Sequence, residues 1–299
     1  MAIKTVRVQI NGTWTNLTLN SSTGKYEGTI TAPATTSYNL SGGYYPVTVE
    51  ATNDAGTVTT VDDTDAALGS SLRLTVKETV KPVITLTSPT DGAYIQNNSA
   101  PIVFTVTDEA AGSGIKESSI EFLIDGKAEE IKKEAIAYGY QCTYTPSDPL
   151  RDGEHTVVIN VSDNDGNAAV EVNATFTVDT IPPTLVVLEP TFEITNQPQC
   201  VVGGVTNDNL TSPVSVQIFL NDISVGDIEV DYLGNFSKEI TLAEGDNTIT
   251  VISTDRSGRS TSVEKTVKLD TAIPQITNIL FTPNPVSTSQ PVTIILEVI

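Results

Sequence analysis

One histidine and two cysteines, His155, Cys142 and Cys200, are all that the 299 residues offer of the side chains that most often serve as general base or nucleophile. A Ser-His-Asp arrangement would have to be built on His155, which stands early in a strand-like stretch where a structural role is the expectation. The two cysteines have no metal-ligand neighbours and read as buried or idle thiols, in keeping with folding in a reducing compartment. No Gly-rich phosphate loop precedes a helix. Paired carboxylates are present, but a glycosidase pair needs a cleft to work across. No enzyme is expected.

Asp163-Asn-Asp-Gly-Asn167 gathers hard oxygens of the kind calcium prefers. It departs from the EF-hand loop, since Ala168 stands where that loop needs Gly and Ala174 where it closes with Glu. Turn chemistry accounts for Asn, Asp and Gly there without a metal, so no cofactor is expected and calcium is the minor reading. Asp179 and Asp270 would be further ligands between domains, and Glu78 at the corresponding place weakens that reading. Trp14 is a possible sugar-stacking platform, though a lone aromatic beside a turn is more often packing. The Asn-x-Thr/Ser sequons at Asn16 and Asn173 are what a chain rich in Asn, Thr and Ser contains by composition.

These residues must be carried by strands. Thr, Val, Ile, Gly and Asn dominate, and only Ile115 to Ala137 has a helix-like density of Glu and Lys, broken by Asp125-Gly126. A net charge of −21 would repel phosphate backbones and anionic lipid, which argues against nucleic acid as a partner. No apolar run has the length of a membrane span. The chain enters a strand pattern at once, without a secretory signal.

Three segments share one spacing: Gly43 to Gly56, Gly153 to Gly166 and Gly245 to Gly258. In each the residues alternate, with His155, Val157, Ile159 and Val161 on one face, matched by Tyr45, Val47, Val49 and Ala51 and by Asn247, Ile249, Val251 and Ser253. That is the period of a half-buried strand. A further strand is expected after each, at Leu72 to Lys77, Thr175 to Val178 and Thr266 to Leu269. Upstream, Val6 to Gly12, Ile120 to Gly126 and Val216 to Asp222 are strand-plus-turn copies, closed by dipeptides that accept positive φ. The later two units also open alike, on Lys81 to Pro89 and Pro182 to Pro190, with second strands at Pro101 to Asp108 and Cys200 to Asn207. About seven short strands per unit match an immunoglobulin-type sandwich.

Residues 79–270 resemble the bacterial immunoglobulin-like repeat families, whose repeats restart with phrases such as Val178-Asp-Thr-Ile-Pro-Pro-Thr184 and Leu269-Asp-Thr-Ala-Ile-Pro274. The resemblance implies an all-β chain of tandem immunoglobulin-like β-sandwiches in an extended rod. Val47, Val157 and Ile249 stand where the antibody fold places its second cysteine, and only Tyr45 fits the tyrosine corner. Asn11-Gly-Thr-Trp14, followed by Ser22-Thr-Gly-Lys-Tyr-Glu27, is similar to immunoglobulin-like proteins encoded in phage and prophage tail regions. That likeness implies a virion or other extracellular surface, reached after folding in the cytoplasm.

Residues 1–78 read as an incomplete domain lacking its first two strands, 79–179 and 180–270 as complete domains, and 271–299 as a two-strand donor segment. The expected assembly interface is Val6, Val8 and Ile10 on one side and Ile276, Ile279, Phe281, Val292, Ile294, Leu296 and Val298 on the other. Burying Val292, Ile294, Leu296 and Val298 alone would yield on the order of 6 to 12 kcal/mol before ordering costs. The expectation is a non-enzymatic structural protein that joins copies of itself head to tail by donor-strand exchange, into a fibre or appendage. Two other readings of the ends stay open: boundaries within a longer repeat array, or another virion or surface protein that supplies the missing strands. The alternative function is a glycan-binding or adhesive module, with a cell-surface glycan as partner.

Overall fold

Each of the three Gly-to-Gly segments folds into a long strand flanked by the strands repeated around it. The computed structural model describes residues 2–210, 212 and 214–299. Contacts divide the chain into two units, Met1–Val178 and Asp179–Ile299. The first two expected domains thus share one unit, and Asp179 opens the second rather than closing the first.

The first unit begins with β1 (Ile3–Ile10), β2 (Thr13–Asn20), β3 (Lys25–Glu27), β4 (Tyr45–Asn53), β5 (Val58–Val61) and β6 (Arg73–Leu74). They make one sheet, ordered β3-β2-β1-β4-β5, with β6 also on β4. Next come β7 (Val83–Ser88), β8 (Ala93–Ile95), β9 (Ile102–Thr107), β10 (Glu121–Ile124), β11 (Lys127–Ala128), β12 (Lys132–Ile136), β13 (Gly139–Tyr144), β14 (Gly153–Asn160) and β15 (Val172–Val178). These form two sheets, β11-β10-β14-β15-β8 and β12-β13-β9-β7. Their facing sides enclose Phe104, Phe122, Val157, Ile159 and Val178, and the Phe104 and Phe122 rings, one from each sheet, stack at 5.7 Å.

The second unit repeats the two-sheet plan. Its strands are β16 (Thr184–Glu189), β17 (Ile194–Thr195), β18 (Gln199–Asn207), β19 (Ser215–Leu220), β20 (Ile223–Ser224), β21 (Asn235–Thr241), β22 (Gly245–Thr254) and β23 (Ser260–Leu269). Sheets β16-β18-β21 and β17-β23-β22-β19-β20 enclose Val202, Ile218, Phe236, Ile249, Val251 and Val267. A separate pair, β24 (Ile276–Thr282) and β25 (Thr293–Val298), follows.

Alternation decides what each central strand buries. His155, Val157, Ile159 and Val161 of the β14 segment are buried, as are Asn247, Ile249, Val251 and Ser253 of β22. On β4 Tyr45 is buried at the start and Asn53 at the end, while Val47, Val49 and Ala51 between them are half-exposed, because among the described residues no second sheet covers that face. The turns follow the dipeptides, with positive φ at Asn11 and Gly12 and at Asp125 and Gly126. The Glu- and Lys-rich stretch holds one short 3-10 turn, Glu117–Ser119, and is otherwise strand and turn.

The strand expected at Leu72 to Lys77 shrinks to Arg73–Leu74. Beyond it the backbone turns to another partner, Val76 exchanging hydrogen bonds with Ser37, and β5 lies along β4 instead.

One position acts as a latch in all three copies. Tyr45 donates its hydroxyl to the Thr35 carbonyl at 3.1 Å, in the manner of a tyrosine corner. His155 Nε2 bonds the Arg151 carbonyl at 2.8 Å, and Nδ1 meets Asp125 at 2.7 Å. Asn247 Nδ2 donates to the Ala243 carbonyl at 2.8 Å. Residue type changes, yet each ties the strand start to backbone upstream, which gives the single histidine a structural role.

Phe104→Ala is expected to lower the stability of the first unit by about 3–5 kcal/mol, and Val8→Ala by under about 1.5 kcal/mol, in urea unfolding. Cys142 and Cys200 are free and buried, and burial pushes the Cys142 thiol up to about 11. Neither is expected to react with a thiol reagent at mildly alkaline pH until the protein is unfolded, as a colorimetric thiol assay would register.

Candidate functional site

The residues expected to associate are gathered onto one face within each unit. In β24 and β25, Ile279 lies opposite Leu296 and Phe281 opposite Ile294. A register shift between Ile276 and Asn278 sets Ile276 opposite Val298, so the bulge returns Ile276 to the face it would otherwise miss. These six and Val292 are between 40 % and 62 % exposed. The pair corresponds in sequence to β7–β9 and β16–β18, antiparallel pairs that carry their register shift near the end of the first strand, whereas β24 carries its own near the start. Those pairs continue into a third strand, β13 or β21, whereas β24 and β25 form a sheet of two.

In the first unit Val6, Val8 and Ile10 lie opposite Ala51, Val49 and Val47 of β4, making one apolar, half-buried face. A groove of about 370 Å³ opens there, lined by Val8, Ile10, Thr15, Ile30 and Pro33 among others. β3 corresponds to β13 and β21 by sequence, yet it pairs with β2. Trp14 sits at the edge with one ring face under the Arg7 guanidinium at 4.3 Å, and Glu50 holds that guanidinium through two hydrogen bonds.

A second arrangement is chemical. Glu78, Asp108 and Asp163 in the first unit, and Asp179, Asp208 and Asp255 in the second, form groups in which one oxygen from each residue lies within 4.8 Å of the others. The positions match. Asp163 and Asp255 are each the tenth residue after Gly153 and Gly245, Asp108 and Asp208 directly follow β9 and β18, and Glu78 and Asp179 precede β7 and β16. Asp163 and Asp179 were sequence candidates, and Glu78 joins them although its type counted against that reading. Asp270 does not: it pairs with Lys268 at 3.2 Å. Asp108 and Asp208 escaped notice because an Asp after a strand reads as turn chemistry; their shared place behind the second strand was the available signal.

Loop hydrogen bonds hold the carboxylates in place. Asp163 Oδ1 accepts the N–H of Gly166 and Asn167, and Oδ2 accepts Asn167 Nδ2. Asp108 Oδ2 accepts the Gly114 N–H at 2.7 Å, and Glu78 accepts the Val80 N–H and the Ser113 hydroxyl. Asp255 Oδ1 accepts the Ser257 hydroxyl and the Arg259 N–H. Burial, with the Asp163 carboxylate beside it, pushes the Glu78 carboxyl up, and burial with Asp108 beside it does the same to Glu109. At Asp163 burial opposes the charge, but hydrogen bonds led by Asn167 outweigh it and hold the carboxyl below its usual range. Asn53, the tenth residue after Gly43, makes the same turn with a neutral amide, accepting the N–H of Ala55 and Thr57 at 2.9 Å each.

Among the described residues no helix is long and apolar enough to cross a membrane. Residues 82–159 match the family model described as a bacterial Ig domain, and residues 183–271 that of glucodextranase, domain B. Among curated proteins there is no match. Similar solved structures include the fibronectin(III)-like modules of Clostridium thermocellum CbhA, at 18% identity and TM-score 0.43 over 63% of this chain and 94% of that one. The tetra-tandem repeat in the extending region of a large adhesion protein aligns at 18% identity and TM-score 0.31, over 98% and 79%. Sidekick-1 immunoglobulin domains 1–5 align at 12% identity and TM-score 0.39, over 92% and 56%. The module at residues 83–178 is thus similar to a bacterial Ig domain and that at residues 184–269 to glucodextranase domain B, and the chain is an all-β protein of tandem immunoglobulin-like β-sandwiches.

Proposed function

We propose that this chain is a structural or adhesive module of a virion or bacterial surface appendage, and that copies join by strand donation. The β24–β25 pair of one copy covers the open face of β1 and β4 in another, with β25 laid along the edge at residues 25–32. The observation that carries this reading is the correspondence of the two unpartnered surfaces. β24–β25 has the antiparallel pairing of β7–β9 and β16–β18 without a third strand, and the sheet of β1 to β6 has a central strand of the β14 and β22 type without a covering sheet among the described residues. Each leaves apolar side chains in water that a second sheet removes in residues 83–178 and 184–269, and main-chain pairing at an open edge supplies the register. Both nitrogens of the one histidine are engaged in structural hydrogen bonds.

Multi-angle light scattering on the intact chain is expected to show oligomers that grow with concentration. Ile294→Asp with Leu296→Asp should reduce them to monomer without changing the circular dichroism of the remainder. An intact chain that stays monomeric across a hundredfold concentration range sinks the proposal. Oligomers that survive both substitutions place the contact elsewhere and sink it as well.

A further inference from the structure

We propose that Glu78, Asp108 and Asp163 bind one calcium-class divalent cation at the junction between the first sheet and the module that follows it. Asp179, Asp208 and Asp255 form the same site in the second unit. Neither site depends on how β24 and β25 are used.

Size is the first argument. Calcium takes oxygen ligands at about 2.3–2.6 Å, so oxygens on opposite sides of one ion stand about 4.6–5.2 Å apart. Oxygens of all three residues within 4.8 Å of one another fit a single coordination sphere in each unit.

Unmet bonding is the second. Asp108 is only 8 % exposed and its Oδ1 accepts no hydrogen bond, and Asp255 is 6 % exposed with its Oδ2 in the same condition. Glu109 presents a further buried oxygen, Oε2, without a donor, and its carboxyl faces that of Asp108. Ionised carboxylates accept and cannot donate, so groups turned toward one another repel unless a proton or a cation lies between them.

The third argument is that the charge exceeds what the fold needs. Asn53 closes the corresponding turn in the first sheet with a neutral side chain, and no acidic group of this kind forms around it among the described residues. Turn formation therefore explains an Asx residue at 163 and 255 but not its negative charge. It explains still less why acidic residues recur at two other matching positions that converge on it.

All the side-chain ligands are hard oxygens, which selects against zinc and copper. Asp163 and Asp179 are fully buried, which leaves little room for the several waters that magnesium retains and favours calcium. In the first unit the site would also be a clamp. The loop that carries Asp163 already receives the Thr36 hydroxyl and the Glu78 N–H at Asp165 and the Lys77 ammonium at the Asp165 carbonyl, and Asn39 reaches the Gly112 carbonyl. A cation drawing in Glu78 adds an ionic tie to that set.

Calorimetric titration of the full chain with calcium chloride, after treatment with chelator and its removal, is expected to show two equivalents bound. Asp108→Asn should leave one, and Asp108→Asn combined with Asp255→Asn none. Magnesium should bind at least tenfold more weakly, and calcium should raise the thermal midpoint of the wild type but not of the double variant. Circular dichroism in chelator checks that the variants fold. If Asp108→Asn does not fold, Asp163→Asn replaces it, because Asn53 shows that the amide sustains the turn. Absence of saturable calcium uptake by the wild type, unchanged stoichiometry in the variants, or equal affinity for magnesium would each overturn the assignment.

Discussion

A strand with one apolar face reaches full burial only where a second sheet covers that face, and this requirement organises the whole chain. Behind Gly153 and Gly245 the cover is present, formed by β7, β9 and β13 or by β16, β18 and β21, and the inward residues of β14 and β22 reach full burial. Behind Gly43 the same alternation occurs on β4, with the same neighbours in β1, but the cover is lacking and Val47 and Val49 stay half-exposed. Hydrophobic stabilisation scales with the area withdrawn from water. Equal patterns therefore produce unequal cores when the opposing layer differs.

Hydrogen bonds fix both ends of these central strands, and the residue types that supply them vary freely. At the start Tyr45, His155 and Asn247 each reach back to a main-chain carbonyl. At the far end Asn53, Asp163 and Asp255 each accept main-chain N–H groups of the following turn. What is retained is a donor at one position and an acceptor at the other, because a buried main-chain group without a partner is costly. Side chains that look singular in the sequence, the lone histidine above all, are thus versions of a repeated structural device.

Charge is distributed on two scales. Most of the acidic surplus lies on exposed turns and strand edges, where water screens it and where it keeps the chain dissolved. The six clustered carboxylates come, three to a group, from segments that are far apart in sequence and meet at loops beside one end of each sandwich. There desolvation strengthens every interaction among them, and the raised Glu78 and lowered Asp163 carboxyls reflect how unequally the surrounding donors are shared.

Local information was sufficient for strands, turns and repeat spacing. Period-two alternation specifies which side of β14 faces inward, and Asn11-Gly12 and Asp125-Gly126 specify tight turns through their tolerance of positive φ. The apolar set on β24 and β25 was legible for the same reason, except that Ile276 is out of phase with Ile279 and shares its face only because a bulge intervenes. Pairing over distance lay beyond such reasoning. Residues 72–77 had the alternation of a strand, but Ser37 competes for Val76 and shortens it. Asp108 and Glu78 looked like ordinary turn and linker residues, because nothing in a linear pattern states that segments 30 and 55 residues apart will converge. The sequence by itself determined the elements and their faces, since those depend on neighbours along the chain. The tertiary structure alone decided which faces are covered and which carboxylates meet, since burial and electrostatics depend on neighbours in space.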